Sequence, residues 1–226
     1  MSRLLRRLAL PGLVTLCAFA TLLYLGSWQA QRLTWKTALL AEIAALEQGP
    51  AVPLTDTPRL FTKVALHGRF DHAREALLEL EVRGPVLGAR LVTPLLRAAG
   101  PPVLVDRGWV PVSPTTPVAR PEGEVEVLGY VRLSEARSRF AAVDDVAQRR
   151  FFTFEVPAIA AALGLAEVTP FGVVAIGPYG GLPDPARHLP RPTNNHLGYA
   201  ITWFGLAFAL AGVFLVWARR RMKETA

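Results

Sequence analysis

The chain has 226 residues, 51% of them hydrophobic, and 25 Lys and Arg against 18 Asp and Glu give a formal net charge of +7. That excess does not indicate nucleic acid. It sits at the ends, on Arg3, Arg6, Arg7, Arg32, Arg219, Arg220, Arg221 and Lys223, while residues 33–196 carry balanced charge. With Cys17 as the single cysteine, the chain cannot form an intrachain disulfide, a thiolate metal cluster or a Cys-x-x-Cys-His haem attachment.

A short basic tail, 1–7, precedes 24 uncharged residues, 8–31, enough for a first transmembrane helix. A cleaved signal peptide is the weaker reading. The apolar run exceeds the roughly 7–15 residues of a signal core, and more membrane-grade sequence, "TLLYLGSW", follows the small-residue "AFA". Bulky Leu16 before Cys17 speaks against a lipoprotein site. The sequence predicts that the helix continues over 32–49, through "LTWKTALLAEIAALE", until Gly49-Pro50 stops it.

Residues 50–193 change texture. After a Pro-bearing linker, "AVPLTDTPRL", seven short runs read as strands: "FTKVALHGRF", "EALLELEVRG", "ARLVTPLLRAAG", "PPVLVDRGWVP", "EVEVLGYVRL", "RRFFTFEV" and "TPFGVVAIGP". "PAIAAALGL" reads as a short helix, with Pro157 at its start and Gly164 near its end. "GPYGGLPDPARHLPRPTNN" is an irregular strap. The expected fold is two transmembrane helices flanking a mainly antiparallel β domain, barrel- or sandwich-like, with one short helix. The second span, 194–218, contains 22 uncharged residues, and a basic tail, 219–226, follows. Arg and Lys clusters outside both spans predict cytoplasmic termini. The middle then lies in a bacterial periplasm or, in a mitochondrion, the intermembrane space. The compact N-terminus, without an evident transit peptide, favours the bacterial inner membrane.

This topology brings Trp28, Gln29, Arg32 and Trp35 level with Asn194, Asn195, His196, Tyr199 and Trp203. Taken singly, the aromatic residues form an interfacial belt, Arg32 and Lys36 anchor headgroups, and Asn194 caps a helix. His196 is not a favoured cap, so an imidazole there points to function. On a helical wheel Gly198, Thr202, Gly205, Ala209 and Gly212 form a small-residue stripe, expected to pack on the first span near Gly12 and Gly26. His196, Tyr199, Trp203, Leu210, Phe214 and Trp217 then face away, toward lipid, a ligand or a partner. A flat, apolar, iron-bearing ligand suits such a face.

In and just before "VDRGWVP", Val103, Val105, Trp109 and Val110 read as a core strand, Gly108 as a bulge, and Asp106 with Arg107 as a turn ion pair. Alternatively, Arg107 and Trp109 face the polar ring at the membrane surface and contact a ligand or partner. Enzyme motifs are absent: there is no phosphate loop, no nucleophile elbow, and the spacing of His67 and His72 is poor for zinc. Tails of seven and eight residues leave no room for a sensor's output domain.

Three stretches, "LGSWQAQRLTWK" at 25–36, "VDRGWVP" at 105–111 and "NNHLGYAITWFGLA" at 194–207, resemble the Surfeit-locus (SURF) family of cytochrome c oxidase assembly proteins. The two-span plan is similar too. The resemblance implies a non-enzymatic role in bringing haem a to oxidase subunit I, alongside other assembly factors. It makes His196 the candidate axial ligand and Arg32 the candidate propionate partner, with Gln29, Tyr199, Trp203, Arg107 and Trp109 around them. A scaffold or structural subunit that binds no haem is the alternative, and a second copy of the chain is left open as a partner.

Overall fold

The computed structural model describes residues 3–178 and 180–223. Of the expected tails, 1–2 and 224–226 lie outside the described residues, as does residue 179 of the strap. The chain forms two compact units: the described parts of Met1–Glu42 with Arg191–Ala226, and Ile43–Pro190.

The first unit is helical. Helix α1 runs unbroken from Arg3 to Gln48. At about 1.5 Å per residue it is about 69 Å long. The C-terminal helix, His196–Lys223, is the third of the chain (α3), after a short α2 at Val156–Ala162. The long helices are apolar and extended enough to cross a membrane.

Their packing reverses the expected seam. Gly198, Thr202, Gly205, Ala209 and Gly212 are all exposed, and nothing lies within 4 Å of where a Cβ would stand on the three glycines. Ala200 and Ala207 are the buried small residues of α3. Phe204 seats on Gly26, where a Cβ would lie 2.8 Å from the ring, and a Cβ on Gly12 would lie 3.6 Å from the Phe214 ring. The physical reason is surface. Two alanines set close approach, and the rings beside them gain far more dispersion than a stripe of hydrogens would.

The second unit is a barrel with attachments. Strands β1 (Val52–Pro53), β2 (Lys63–Phe70), β3 (Ala76–Arg83), β4 (Val86–Leu96), β5 (Val103–Pro111), β6 (Val125–Leu133), β7 (Arg150–Phe151) and β8 (Phe171–Ala175) form one sheet. Five of them close on themselves in the order β2-β6-β8-β5-β4, and the β2–β4 pairing at Arg69–Leu96 and Phe70–Leu95 completes the ring. Four seams are antiparallel, as expected; β5–β8 is parallel. All seven expected strands form, although "RRFFTFEV" supplies a ladder of only two residues. The linker contributes the unexpected β1, which pairs parallel with β2.

Alternation along the strands builds two cores. Val64, Leu66, Leu95, Val103, Val105, Val127, Val131, Phe171 and Val173 fill the barrel. On the outside of the wall, Leu78, Val92 and Leu104 meet Phe151, Phe154 and the Val156–Ile159–Leu163 face under α2. Strand β5 is therefore covered on both sides and reads as a near-continuous buried run.

Gly88 leaves the space in which the Trp109 indole lies against β4, and a Cβ there would overlap the ring. Gly88→Ala is expected to cost about 1–3 kcal/mol. It should appear as a lower urea midpoint for the purified protein, followed by tryptophan fluorescence. An unchanged midpoint would mean that the indole is not seated there.

Candidate functional site

In the helical unit, α3 begins at His196. The carbonyl of Asn195 accepts the Tyr199 amide at 3.4 Å, so Asn195 takes the flanking position expected for Asn194. The Asn194 amide instead donates to Thr37 Oγ1 of α1 at 3.4 Å, while its carbonyl oxygen is buried without a partner.

Two turns nearer the start of α1, Gln29 is buried and its Oε1 lies 2.6 Å from His196 Nδ1. An amide oxygen only accepts, so Nδ1 carries a proton, and in the neutral imidazole Nε2 then keeps its lone pair. Nε2 has no hydrogen-bond partner among the described residues. Trp28 stands edge-on to the imidazole, with ring centroids 6.5 Å apart. The expected level of these side chains is therefore the observed one: Gln29 and Trp28 meet His196. Their surroundings differ from expectation in two ways. Arg32 is exposed and turns its guanidinium over Trp35 at 4.5 Å, with Lys36 6.0 Å from the same ring. Tyr199 is exposed, but Trp203 is half-buried on the face that meets α1.

In the β unit, Arg107 and Gly108 form a bulge: Leu91 pairs with Gly108, Val92 with Asp106, and Arg107 is the extra residue. Gly108 has φ +128°, and a Cβ would overlap the Asp184 carbonyl of the strap, so glycine is required as expected. The expected Asp106–Arg107 ion pair does not form. Neighbours along a strand point to opposite faces, and each finds its partner on a different element. Asp106 pairs with Arg90 on β4 and accepts the Gly108 amide at 3.0 Å. Burial pushes the Asp106 carboxyl above its ordinary range, while the charges of Arg90 and Arg132 and the Gly108 amide pull it down. Burial also opposes the Arg90 charge, yet Asp106 outweighs it and Arg90 is raised. The aligned guanidinium and the amide on the same carboxylate favour the ionised pair.

Arg107, 7% exposed, donates to Glu75 Oε1 at 3.2 Å and to the Ala119 carbonyl, and stacks on Phe70 at 4.7 Å. Burial lowers its pKa, partly offset by Glu75. Glu75 also receives Arg120 at 2.7 Å, and His72 lies 3.1 Å from it. Trp109 donates its indole N–H to the Glu81 carbonyl at 3.1 Å, with Arg83 stacked on it at 5.1 Å. Both residues are engaged within the β unit. Sequence reading missed Glu75, Arg90 and Thr37. For the first two, a signal was present: charges inside a strand buried on both faces require opposite charges on neighbouring elements.

Glu75→Ala strands the Arg107 charge and is expected to cost about 3–5 kcal/mol, measured by chemical denaturation. A loss below about 1 kcal/mol, typical of an exposed pair, would show that the cluster is dispensable. Gln29→Leu removes the Nδ1 acceptor. Histidine ¹⁵N spectra should show Nδ1–H imidazole in the wild type and a mixture of tautomers in the variant.

Residues 16–208 match the family model described as SURF1 family. Surfeit locus protein 1 of Xenopus tropicalis is 31% identical over 89% of this chain and 73% of its own length. The protein of the same name from Gallus gallus is 31% identical over 94% and 74%. A bacterial relative, the SURF1-like protein of Rickettsia conorii, is 29% identical over 90% and 89%. The matched range takes in Gln29, His196 and all of Ile43–Pro190, and the chain belongs to the SURF1 family.

Proposed function

We propose that the chain is a membrane-anchored assembly factor for cytochrome c oxidase, and that it offers His196 to haem a bound for subunit I. Family membership supports the assembly role. The observation that carries the haem role is the bond between Gln29 Oε1 and His196 Nδ1 at 2.6 Å. Imidazoles that ligate metals generally donate their other N–H to a fixed acceptor, which sets the tautomer and the ring orientation. Gln29 is such an acceptor, held in place by its own burial.

The donor set fits a haem. His196 Nε2 is free to ligate, Tyr199 is exposed one turn further along α3, and Arg32 has no carboxylate partner among the described residues. A guanidinium of that kind suits a propionate. Haem a supplies the iron that an imidazole nitrogen can ligate. Gln29 sets the tautomer of the neutral imidazole and orients the ring, and the chain itself makes and breaks no covalent bond. Arginine clusters at the ends of both helices, past their apolar spans, support cytoplasmic termini, with the β unit on the outer side of a bacterial inner membrane. Subunit I, other assembly factors and lipid are the partners in this reading.

The test is the optical spectrum of the detergent-purified protein coexpressed with haem a synthesis. Wild type should show a Soret band, His196→Ala should lose it, and Gln29→Leu should retain it at lower occupancy. Absence of the band in wild type with ample haem a would sink haem binding and leave a protein-binding scaffold.

A further inference from the structure

The β6–β7 connection, residues 134–149, is long for a compact domain and carries an unusual surface. Phe140 is 90% exposed, Val143 81% and Val146 58%. Large apolar side chains standing this far out of a folded domain mark an interaction site when they cluster. These do not ride on a slack loop. Ala141 N–H donates to the Ser138 carbonyl at 3.0 Å, and Arg137 donates to the Ala142 carbonyl at 2.7 Å. Asp144 accepts the Phe152 amide at 2.8 Å, and Asp145 accepts the Gln148 amide at 3.0 Å. The backbone is tied so that the apolar side chains point outward.

The same ties sort the charges. Each carboxylate of the segment is answered from within the β unit. Glu135 meets Arg132, Asp144 meets Arg137, and Asp145 caps its own turn. Arg139 is exposed beside Phe140 with no partner among the described residues. The outward chemistry is therefore an aromatic ring, two valines and an unpaired guanidinium. That combination suits the boundary between acyl chains and anionic headgroups, where an apolar side chain inserts and an arginine holds phosphate.

We infer that the 134–149 loop is a foot on the bilayer, with Phe140 and Val143 inserted among anionic lipids. A protein partner is the poorer occupant, because a stable interface needs roughly 20–30 residues a side and a complementary shape. A lipid surface requires neither. The domain is also tethered: only residues 191–195 join Pro190 to α3.

The full chain is tested in nanodiscs, with a spin label at Val143→Cys in a Cys17→Ser background. In discs containing phosphatidylglycerol the label should be accessible to oxygen and shielded from a water-soluble nickel chelate. Adding Phe140→Asp should abolish the shielding. Because the side chain is exposed, that variant should melt like its parent, which separates lost insertion from lost folding. Discs of neutral phosphatidylcholine should shield less. A label open to the chelate in anionic discs overturns the inference. So does shielding that survives Phe140→Asp, or shielding that arises only when other membrane proteins are added, which would assign the loop to a protein partner.

Discussion

Strand β5 is covered on both faces, and the β unit is arranged around that constraint. Val103 and Val105 fill the barrel, while Leu104 supports the layer beneath α2. No face of β5 is left for solvent, so every polar side chain on it must be answered from a neighbouring element. Asp106 draws Arg90 across from β4, and Arg107 draws Glu75 from the turn before β3. The bulge at Arg107–Gly108 makes both answers available by giving the strand one extra residue. It also presents a bare backbone against which the strap can lie: Trp109 and Asp184 exchange backbone hydrogen bonds at 2.8 and 2.9 Å.

The helical unit solves a similar problem with fewer groups. Gln29 and Asn194 are polar, partly or wholly buried, and placed where α1 and α3 meet. Each reaches across to the other helix, at His196 and Thr37 respectively. Between and beyond these rungs the contact is steric, with Phe204 in the notch at Gly26. A hydrogen bond orients and a notch fixes register. Together they hold one edge of the imidazole while leaving the other without a hydrogen-bond partner among the described residues.

Much of this was legible in the sequence, and the exceptions share a cause. Strand alternation, the Gly108 bulge, the short helix after Glu155 and the two apolar helices follow from patterns within a few residues. Closure of the barrel does not. It rests on the two-residue β2–β4 pairing, whose partners lie far apart in the chain. Gln29 and His196 were visible as chemistry, since their polarity beside apolar runs stands out. Their meeting depended on which face of α3 turns inward, and the glycine stripe suggested the opposite face. The close approach expected at that stripe does not occur there, because burying Phe204 and Phe214 against α1 gains more. Asp106 and Arg107 were likewise seen as charges but assigned to each other, because adjacency in sequence hides the opposite directions of neighbours on a strand.

The Gln29–His196 bond joins residues 167 positions apart, which has a consequence for biosynthesis. Chain elongation at about 5–20 residues per second means that the Gln29 amide is made on the order of ten seconds or more before its imidazole. Until then α1 carries a polar group with no partner from α3. A chaperone, a lipid headgroup or water must satisfy it during that interval. A truncated chain that ends before α3 keeps that amide without its imidazole permanently, so the loss of the last helix is felt inside the first.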